Sequence, residues 1–502
     1  MAQAALAADI GGTFTDVVVE AGGERHSTKL LTVYAAPESA VLEGAATVLQ
    51  KAGLGFGDLS AVIHGATLAT NAIITRRGAR TALIATEGFR DVLDIADESR
   101  FDQYDIDIDK PTPLTPRSAR FTAPERVDVN GAVLKPLDED AVRALALEIE
   151  AKGYEAVAVS FLHSYANPAH ERRAREIIAE AAPSLAVSLS SEVCPEIREY
   201  ERTSTTVANA FVQPLMAGYL KRLEDALKDR GCPAPLRLMT SGGHLTSVET
   251  ARRFPVRLVE SGPAGGAILA AHAARERAEN KVLSFDMGGT TAKICFIEGG
   301  EPLTSRSFEV DRAARFTKGS GLPIRIPVIE MIEIGAGGGS IARADALGAI
   351  AVGPESAGSE PGPACYDRGG EAPTVTDADV VLGRISPEHF AGGEMTLAAE
   401  KSSAAITGLG RAMNLDLDTA AVGIGEIVDE NMANAARVHA AERGVGLEGH
   451  SLVAFGGAAP LHAARMAEKL QLSRVIVPAD AGVGSAVGFL RAPVAYELVR
   501  SL

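Results

Sequence analysis

The sequence predicts an α/β fold built from two related domains. Short apolar runs typical of buried strands alternate with longer segments of helical periodicity, which is the pattern of α/β proteins. The chain has 502 residues, more than a single hydrophobic core usually holds. A hairpin-like motif also occurs twice, once in each half of the chain. We place the domain boundary near residue 195, so that residues 1–195 and residues 196–502 each hold one copy.

Five segments between the two copies support the alternation of strands and helices. Residues 141–152 show helical periodicity, and residues 156–161 (AVAVSF) predict a buried strand. Residues 168–180 and 216–230 predict amphipathic helices. Residues 99–124 are rich in Asp, Pro and Thr and predict an exposed excursion from the core.

The repeated motif is an apolar strand that ends in aspartate, followed by a Gly-Gly turn, hydroxyl residues and a second apolar strand. The copies are residues 6–20 (LAADIGGTFTDVVVE) and residues 282–297 (VLSFDMGGTTAKICFI). Each copy predicts a β-hairpin with a turn that depends on glycine. Two copies in matched context favour two domains that face one another.

Composition and charge exclude several classes of protein. The formal net charge of −16, without a basic run, argues against nucleic-acid binding. No apolar run approaches the roughly 20 residues that span a bilayer, and no signal peptide is evident, so we expect a cytoplasmic protein. The four cysteines have no spacing typical of a disulfide framework or a zinc site. They are Cys194, Cys232, Cys295 and Cys365.

The paired Gly-Gly turns predict a phosphate-binding site, because glycines let backbone N–H groups approach phosphate oxygens. Asp9 and Asp286 end the first strand of each copy and are the candidate catalytic carboxylates that hold Mg²⁺, which prefers carboxylates and waters. The alternative is that each aspartate only fixes its turn. The candidate phosphate contacts are Gly11, Gly12, Thr13, Thr15, Gly288, Gly289, Thr290 and Thr291, with Lys293 as a further contact.

A third glycine motif follows a late strand in residues 451–462 (SLVAFGGAAPLH). Gly456 and Gly457 would offer a flat backbone patch to a nucleoside, just before a helix begins. Residues 444–449 match GxGxxG, but they follow a helical segment, so we interpret them as a helix C-cap and turn. Together, the two hairpins and the third motif resemble the paired phosphate motifs and the adenosine motif of the superfamily of actin, Hsp70 and sugar kinases. That resemblance implies ribonuclease H-like sheets in two ATPase domains around an interdomain nucleotide cleft.

Over nearly its whole length the chain resembles the hydantoinase A/5-oxoprolinase family, in an N-methylhydantoinase A-like form. The segments that carry the resemblance are residues 9–16 (DIGGTFTD), 64–71 (HGATLATN), 260–266 (ESGPAGG), 286–290 (DMGGT), 333–341 (EIGAGGGSI), 353–358 (GPESAG), 361–366 (PGPACY) and 455–462 (FGGAAPLH). The resemblance implies ATP-dependent hydrolysis of a small cyclic amide, such as a hydantoin, 5-oxoproline or a related lactam. ATP with Mg²⁺ would phosphorylate the carbonyl oxygen, and a hydantoinase B-type partner in a hetero-oligomer would complete hydrolysis.

Two departures from the family pattern stand out. The family usually has a further C-terminal domain, and this chain ends at Leu502, about where that domain would begin, so we expect the domain to be absent. Ala459 also stands where the adenosine motif commonly has glycine, which would crowd the nucleoside slightly.

Other candidates have two readings each. Asp16 either contacts the metal or accepts hydrogen bonds from its own loop, and residues 335–340 form either an anion-binding nest or a tight turn. His64 and Asn71 would face the cleft, although a lone histidine is more often structural. Cys365 has no identifiable histidine partner, which favours a structural role.

Glu260 and Ser261 precede a predicted helix. They could contact metal-bound water or phosphate, and the simpler alternative is that they cap the helix.

Three rival functions remain open from the sequence. The first is the ATP-using subunit of an acetone- or acetophenone-type carboxylase, which resembles the same family. The second is a small-molecule kinase, for which no motif clearly supplies a catalytic base. The third is a non-enzymatic ATP switch.

Overall fold

The computed structural model describes residues 4–12, 14–33, 35–97, 100–312, 319–393, 395–499 and 501. Its strands are β1 (Ala4–Ile10), β2 (Phe14–Ala21), β3 (Glu24–Leu31), β4 (Leu59–Ala66), β5 (Thr81–Thr86), β6 (Arg120–Ala123), β7 (Arg126–Val127), β8 (Val133–Lys135), β9 (Ala156–Ser160), β10 (Ala186–Leu189), β11 (Leu236–Met239), β12 (Leu245–Ser247), β13 (Lys281–Met287), β14 (Ala292–Glu298), β15 (Glu301–Pro302), β16 (Thr304–Ser305), β17 (Phe308–Val310), β18 (Leu322–Ile324), β19 (Val328–Ile329), β20 (Ile332–Ile334), β21 (Ser340–Ala344), β22 (Ile350–Ser356), β23 (Ser451–Phe455) and β24 (Val475–Ile476).

The helices are α1 (Pro37–Lys51), α2 (Leu68–Ile74), α3 (Val92–Ile95), α4 (Glu139–Ala151), α5 (Ala169–Ala181), α6 (Ser190–Val193), α7 (Glu199–Asp229), α8 (Val248–Arg253), α9 (Ser261–Glu276), α10 (Val375–Val381), α11 (Ala399–Met413), α12 (Leu417–Arg443), α13 (Ala459–Leu470) and α14 (Gly484–Phe489). Strands and helices alternate over most of the chain, which confirms the α/β fold class. Across the described residues, no helix is long and apolar enough to cross a membrane.

Contacts divide the chain into two compact units made of interleaved segments. Unit 1 contains Met1–Ser60, Gly262–Leu303 and Ile329–Ala492, and unit 2 contains Ala61–Ser261, Thr304–Val328 and Pro493–Leu502. Both Gly-Gly hairpins therefore lie in unit 1, whereas the sequence places them in different domains. The reason is that segments far apart in the chain pack together, which a boundary at one position does not capture. The division of the sequence into regions 1–195 and 196–502 stays a prediction.

Unit 1 contains two hairpin-based sheet regions. Strands β1, β2 and β3 form an antiparallel meander, on which α1 packs. In the second region β13 pairs antiparallel with β14 and parallel with β23, which continues to β24. Helices α10, α12 and α13 bury their apolar residues against these strands in one core that includes Phe285, Phe296 and Met432.

Unit 2 contains a four-stranded parallel sheet in the order β10-β9-β5-β6. Helices α4 and α5 pack on one face, in a core that includes Val142 and Ile177. Helix α7 packs on the other face, through Val207 and Ala210. Helices on both faces explain why the strands are nearly continuous apolar runs.

The helices predicted at residues 141–152 and 168–180 and the strand at 156–161 match α4, α5 and β9. The helix predicted at 216–230 is only the second half of α7, because the first turns contain a buried run of Ser and Thr with weak helix propensity. Of the excursion predicted at residues 99–124, residue 99 lies outside the described residues, and residues 100–124 are only partly an excursion. Their last part forms β6, where Ala123 is fully buried, because a parallel neighbour, β5, pairs with it.

Helices α9 and α14 of unit 1 cross at a point where neither backbone leaves space for a side chain. A Cβ added at Gly488 would overlap the carbonyl oxygen of Gly265, and one added at Gly265 would overlap the ring of Phe489. Gly488→Ala is therefore expected to lower the free energy of unfolding by about 1–3 kcal/mol, the usual cost of overpacking a core. Urea denaturation measures this difference.

The matched control is Gly408→Ala in α11, where an added Cβ meets nothing within 4 Å. Alanine should leave stability unchanged there or raise it by about 0.5–1 kcal/mol. Equal effects of the two substitutions would contradict the close crossing.

Candidate functional site

The first hairpin places two carboxylates opposite one another at the end of its strands. Asp9 pairs with Asp16 in the register of β1 and β2. The N–H of Gly11 donates to the carbonyl of Phe14 at 2.9 Å and closes the turn, and Gly12 is exposed at its tip. This confirms the predicted hairpin and presents its backbone to a ligand.

Thr13 lies outside the described residues, and Thr15 is oriented inward. The hydroxyl of Thr15 is buried, 3.1 Å from the hydroxyl of Thr32, which in turn donates to the carbonyl of Gly11 at 3.0 Å. Thr15 therefore supports the turn from below, so its hydroxyl is already used within the protein.

The second hairpin repeats the first, with one reversal of charge. Asp286 pairs with Lys293 in the register of β13 and β14, where the first hairpin has Asp16 in place of lysine. The N–H of Gly288 donates to the carbonyl of Thr291 at 3.0 Å, as in the first turn. The exposed residues of this turn are Gly289 and Thr290.

The third glycine motif packs directly on the second hairpin. Gly456 has φ of 96°, and an added Cβ would overlap the carboxylate of Asp286. The N–H of Ala458 donates to the carbonyl of Met287 at 2.9 Å. Gly457 is exposed and an added Cβ there would meet nothing within 4 Å. Glycine at position 456 is therefore required by contact, whereas Gly457 leaves open space for a ligand.

Helix α9 begins beside the carboxylate of Asp9. A Cβ added at Gly262, in its first turn, would lie 3.0 and 3.1 Å from the two carboxylate oxygens. The first turn of a helix has N–H groups without intrahelical partners and a partial positive charge. The first turn of α9 therefore favours a negatively charged group beside it, such as the carboxylate of Asp9 or a bound anion.

The glycine-rich residues 335–340 pack against the second turn. The N–H of Gly338 donates to the carbonyl of Gly288 at 3.1 Å, and that of Gly339 donates to the carbonyl of Gly289 at 2.7 Å. These two N–H groups therefore hold the hairpin in place. For them the structure favours a structural role over the alternative, an anion-binding nest.

Buried charge is concentrated at the ends of the two hairpins. Burial, and next the charges of Asp16 and Asp286, raise the pKa of Asp9 to about 8, although Lys29 and Lys293 oppose the shift. Burial also raises the pKa of Asp286 to about 6 and that of Asp16, which pairs with Lys29 at 2.5 Å. This array of three carboxylates, at Asp9, Asp16 and Asp286, has only two lysines in its electrostatic surroundings, Lys29 and Lys293.

One atom of this array has no partner within the described part of the chain. The Oδ1 atom of Asp9 is buried and accepts no hydrogen bond there. A buried carboxylate without donors is costly unless a cation or a donor compensates it. Asp9 and Asp286 therefore fit the chemistry of a Mg²⁺ site, since this ion takes one or two carboxylates and keeps several waters.

The remaining candidates have partners that indicate structural roles. His64 is buried, with Nε2 2.7 Å from the hydroxyl of Tyr219. The side chain of Asn71 lies 3.4 Å from the hydroxyl of Thr67, within one turn of α2. Burial raises the pKa of the Cys365 thiol well above its usual range, so thiolate chemistry is disfavoured.

Glu260 and Ser261 stand just before and at the start of α9. Glu260 has φ of 62°, and its N–H donates to the hydroxyl of Thr70 at 3.2 Å. The hydroxyl of Ser261 is buried without a hydrogen-bond partner among the described residues.

A buried charged cluster beside the third glycine motif was not found from the sequence. His462 of α13 is fully buried, with Nδ1 2.8 Å from Asp429 of α12 and Nε2 3.2 Å from Asp379 of α10. Arg384 pairs with Asp379 at 3.0 Å. Two carboxylates so close to one ring favour its charged form, the imidazolium. Desolvation lowers the pKa of His462, but the interactions with Asp379 and Asp429 outweigh it and raise that pKa to about 9.

We expect His462→Gln to lower the free energy of unfolding by about 3–5 kcal/mol at pH 6, the cost of breaking a buried ion pair. The folded-state pKa of about 9 exceeds the ordinary value of 6.5. The stabilisation is thus complete below pH 6.5 and is lost as the pH rises through 9. Denaturant unfolding at pH 6, 8 and 9.5 measures this free energy. Its difference between wild type and variant should become smaller as the pH rises.

The control for this series is His272→Gln, which changes a half-exposed histidine of α9 that pairs with Glu276 at 3.3 Å. It should change stability by less than about 1 kcal/mol at every pH. A difference between wild type and His462→Gln that does not vary with pH would contradict the imidazolium assignment.

Family models match nearly the whole chain. Residues 202–498 match the model described as Hydantoinase/oxoprolinase, and residues 5–182 match its companion, Hydantoinase/oxoprolinase N-terminal region.

Three relatives illustrate the range of similar proteins. Caprolactamase subunit alpha of Pseudomonas jessenii is 33% identical over 100% of this chain and 72% of its own length. Acetophenone carboxylase gamma subunit of Aromatoleum aromaticum is 35% identical over 96% of this chain and 66% of its own length. The 5-oxoprolinase of Saccharomyces cerevisiae is 31% identical over 98% of this chain, which spans only 41% of that relative.

A solved structure agrees with the sequence relatives. The crystal structure of the ATP-dependent caprolactamase from Pseudomonas jessenii matches with a TM-score of 0.84 and 33% identity, over 98% of this chain and 71% of that one. The fold described above is therefore shared with this relative along the chain.

Proposed function

Because the chain belongs to the hydantoinase/oxoprolinase family, we propose that it is the nucleotide-using component of an ATP-dependent enzyme that opens a cyclic amide. The observation that carries this proposal is that the two hairpins place two buried carboxylates where the third glycine motif and the first turn of α9 pack closely on them. Gly456 contacts Asp286, and Gly262 contacts Asp9. A site with exposed backbone N–H groups and an excess of buried carboxylate suits a nucleotide triphosphate bound together with a divalent cation.

The exposed turns would bind the phosphates, and the third motif would bind the nucleoside. At Gly289 and Gly457 an added Cβ would meet nothing within 4 Å, so the backbone there is accessible to a ligand. The proposed contacts, among those that the sequence predicts, are Gly11, Gly12, Thr13, Gly288, Gly289, Thr290, Thr291, Gly456 and Gly457. Thr15, also a predicted contact, would instead support the first turn through Thr32.

Asp9 and Asp286 would hold Mg²⁺, directly or through its waters. The unpartnered oxygen of Asp9 and the raised pKa of both carboxyls support this role, since a bound cation favours the charged form of each. When bound, Mg²⁺ would neutralise charge on the phosphates during transfer. Lys293 lies across the ladder from Asp286 and would add positive charge at the same place.

The proposed chemistry overcomes the poor reactivity of an amide carbonyl. The carbonyl oxygen would form a bond to the γ-phosphorus of ATP while the bond to ADP breaks. Water would then add to the activated carbon, and the ring C–N bond would break as the nitrogen takes up a proton, which leaves an acyl phosphate. A second water would cleave the acyl phosphate to the carboxylate and free phosphate. No group of this chain needs to deprotonate a carbonyl oxygen, so its residues act by positioning and charge stabilisation.

We further propose that a subunit of hydantoinase B type completes the hydrolysis in a hetero-oligomer. Two relatives support the hetero-oligomer, since the caprolactamase and acetophenone carboxylase chains are both named as subunits. The type of the partner rests on the resemblance to the family.

The second candidate function is the ATP-using subunit of a ketone carboxylase. The 35% identity with the acetophenone carboxylase gamma subunit supports it as directly as the 33% identity with caprolactamase supports hydrolysis. The two reactions differ in their need for bicarbonate, which gives a clear test.

The test is Mg²⁺-dependent ADP release by the chain with its B-type partner. Cyclic amides of five to seven ring atoms, hydantoins and ketones would be offered with and without bicarbonate. We expect a cyclic amide to stimulate ADP release without bicarbonate. Stimulation by a ketone that depends on bicarbonate would instead establish the carboxylase, and release that ignores every organic compound would contradict both functions.

Asp9→Asn and Asp286→Asn should each lower stimulated ADP release at least about 100-fold, since each removes a charge from the proposed cation site. Thermal unfolding of the nucleotide-free variants should occur at or above the wild-type midpoint, because burial opposes the charged carboxylates. The control is Asp418→Asn, at an exposed position in α12. Wild-type turnover in either site variant would refute the assignment.

A further inference from the structure

Lys29 of β3 lies beside the first hairpin, and the proposed nucleotide site assigns it no ligand. In the registers of β1, β2 and β3, Asp9 pairs with Asp16, and Asp16 pairs with Lys29. Residues that pair directly in an antiparallel sheet point to the same face. The three side chains therefore form one row on the face of the sheet that carries the candidate metal ligand Asp9.

A row of the same composition crosses the second sheet region. Asp286 pairs with Lys293, and Lys293 pairs with Glu333 of β20. The Nζ atom of Lys293 lies 3.5 Å from Glu333. Each row thus contains two carboxylates and one lysine, and each lysine forms an ion pair with the carboxylate that is not the candidate metal ligand. Because Lys293 is a proposed phosphate contact, the first row points to a similar role for Lys29.

The surroundings of the Lys29 ammonium hold it level with the first turn. Its Nζ donates to Oδ1 of Asp16 at 2.5 Å and lies 5.1 Å from the centroid of the Phe14 ring. Phe14 belongs to the turn, since its carbonyl accepts the N–H of Gly11. An ammonium has three N–H donors, and Asp16 is the one hydrogen-bond acceptor that it reaches among the described residues. The side chain is 24% exposed, so a ligand at the turn can accept a further hydrogen bond from it.

Phosphate at the first turn needs positive charge close by. Asp9 and Asp16 bring two carboxylates next to the exposed backbone that would bind phosphate, and like charges repel. The charge of Lys29 acts on Asp9, Asp16 and Asp286, so it also acts on an anion placed among them. Lysine binds phosphate as a point charge, which suits an ammonium at the edge of such an array.

The position of the nucleoside motif indicates which phosphate Lys29 meets. The third glycine motif packs on the second hairpin, where the N–H of Ala458 donates to the carbonyl of Met287. Resting on the proposed nucleotide site, we propose that Lys29 binds the terminal phosphate of ATP, the group that the proposed reaction transfers. Phosphates that follow the nucleoside reach the second turn, with Lys293, before they reach the first turn, with Lys29.

The alternative role of Lys29 is to neutralise Asp16 alone. A lysine with that role influences nucleotide binding only through Asp16, so its removal has no effect once Asp16 is neutral. A lysine that contacts phosphate influences nucleotide binding in either background. A double-mutant cycle of Lys29→Gln and Asp16→Asn therefore separates the two roles.

The measurement is the affinity of the full chain for AMPPNP and for ADP, each with Mg²⁺, by isothermal titration calorimetry. Lys29→Gln should weaken AMPPNP binding at least about tenfold, because it removes a charge-assisted hydrogen bond to the terminal phosphate. ADP lacks that phosphate, so its affinity should change less than about threefold. The matched control is Lys51→Gln, at the exposed last residue of α1, which should leave both affinities at their wild-type values.

In the Asp16→Asn background, Lys29→Gln should still weaken AMPPNP binding at least about fivefold. The double variant leaves no unpaired carboxylate at position 16. Its comparison with Asp16→Asn therefore decides the question even if Lys29→Gln alone does not fold. An effect that vanishes in the Asp16→Asn background, or one of equal size for AMPPNP and ADP, would overturn the proposal.

Failure of this inference is distinguishable from failure of the proposed function. If cyclic amides stimulate ADP release and Lys29→Gln binds AMPPNP as tightly as the wild type, the hydrolase stands and the role of Lys29 is overturned. If Lys29→Gln selectively weakens AMPPNP binding and no cyclic amide stimulates ADP release, the role of Lys29 is supported and the proposed hydrolase fails. A wild-type chain that binds neither nucleotide would overturn both.

Discussion

The close approach of glycine backbone to two buried carboxylates is the constraint on which the rest of unit 1 depends. Position 456 has no room for a side chain because Asp286 occupies the space, and position 262 stands within about van der Waals distance of Asp9. Each contact brings together segments that are far apart in the chain. The strand ends, the start of α9 and the loop before α13 are thus held around one patch of negative charge. Such a concentration opposes folding by itself, and a bound cation would relieve it.

The two hairpins are alike in backbone and different in charge, and the difference gives each a separate role. The first places Asp16 across from Asp9 and balances it with Lys29 from β3. The second places Lys293 across from Asp286, and that lysine lies 3.5 Å from Glu333 of β20. Negative charge is therefore densest at the first hairpin, where the pKa shift is also largest. The asymmetry is consistent with a cation held mainly from the side of Asp9 and phosphate held mainly from the side of Lys293.

Local pattern was enough to predict the hairpins, the α/β class and several elements, because each depends on neighbours in the chain. Residues 141–152 and 168–180 carry their helical periodicity within themselves, and the Gly-Gly turns carry their own backbone requirement. The strand β6 was missed because residues 120–123 become a strand only beside β5. The cluster of Asp379, Asp429 and His462 joins three helices, and no spacing along the chain indicates it. Likewise, only tertiary packing shows that Arg202 is buried, since the residues around it in the sequence are typical of the polar start of an exposed helix.

The interleaving of the two units has a consequence for how the protein is made. The chain passes from one unit to the other at residues 60, 261, 303, 328 and 492. During synthesis from the N-terminus, most of unit 2 emerges as one continuous stretch before the second hairpin exists. Unit 1 waits for β23 and α13, because both pack on β13 and its turn. The first hairpin, with its crowded carboxylates, therefore leaves the ribosome several hundred residues before the segments that complete its surroundings. Strands β1 to β3 can pair as soon as they have been made, but Asp9 lacks its final surroundings until α9 and the second hairpin follow.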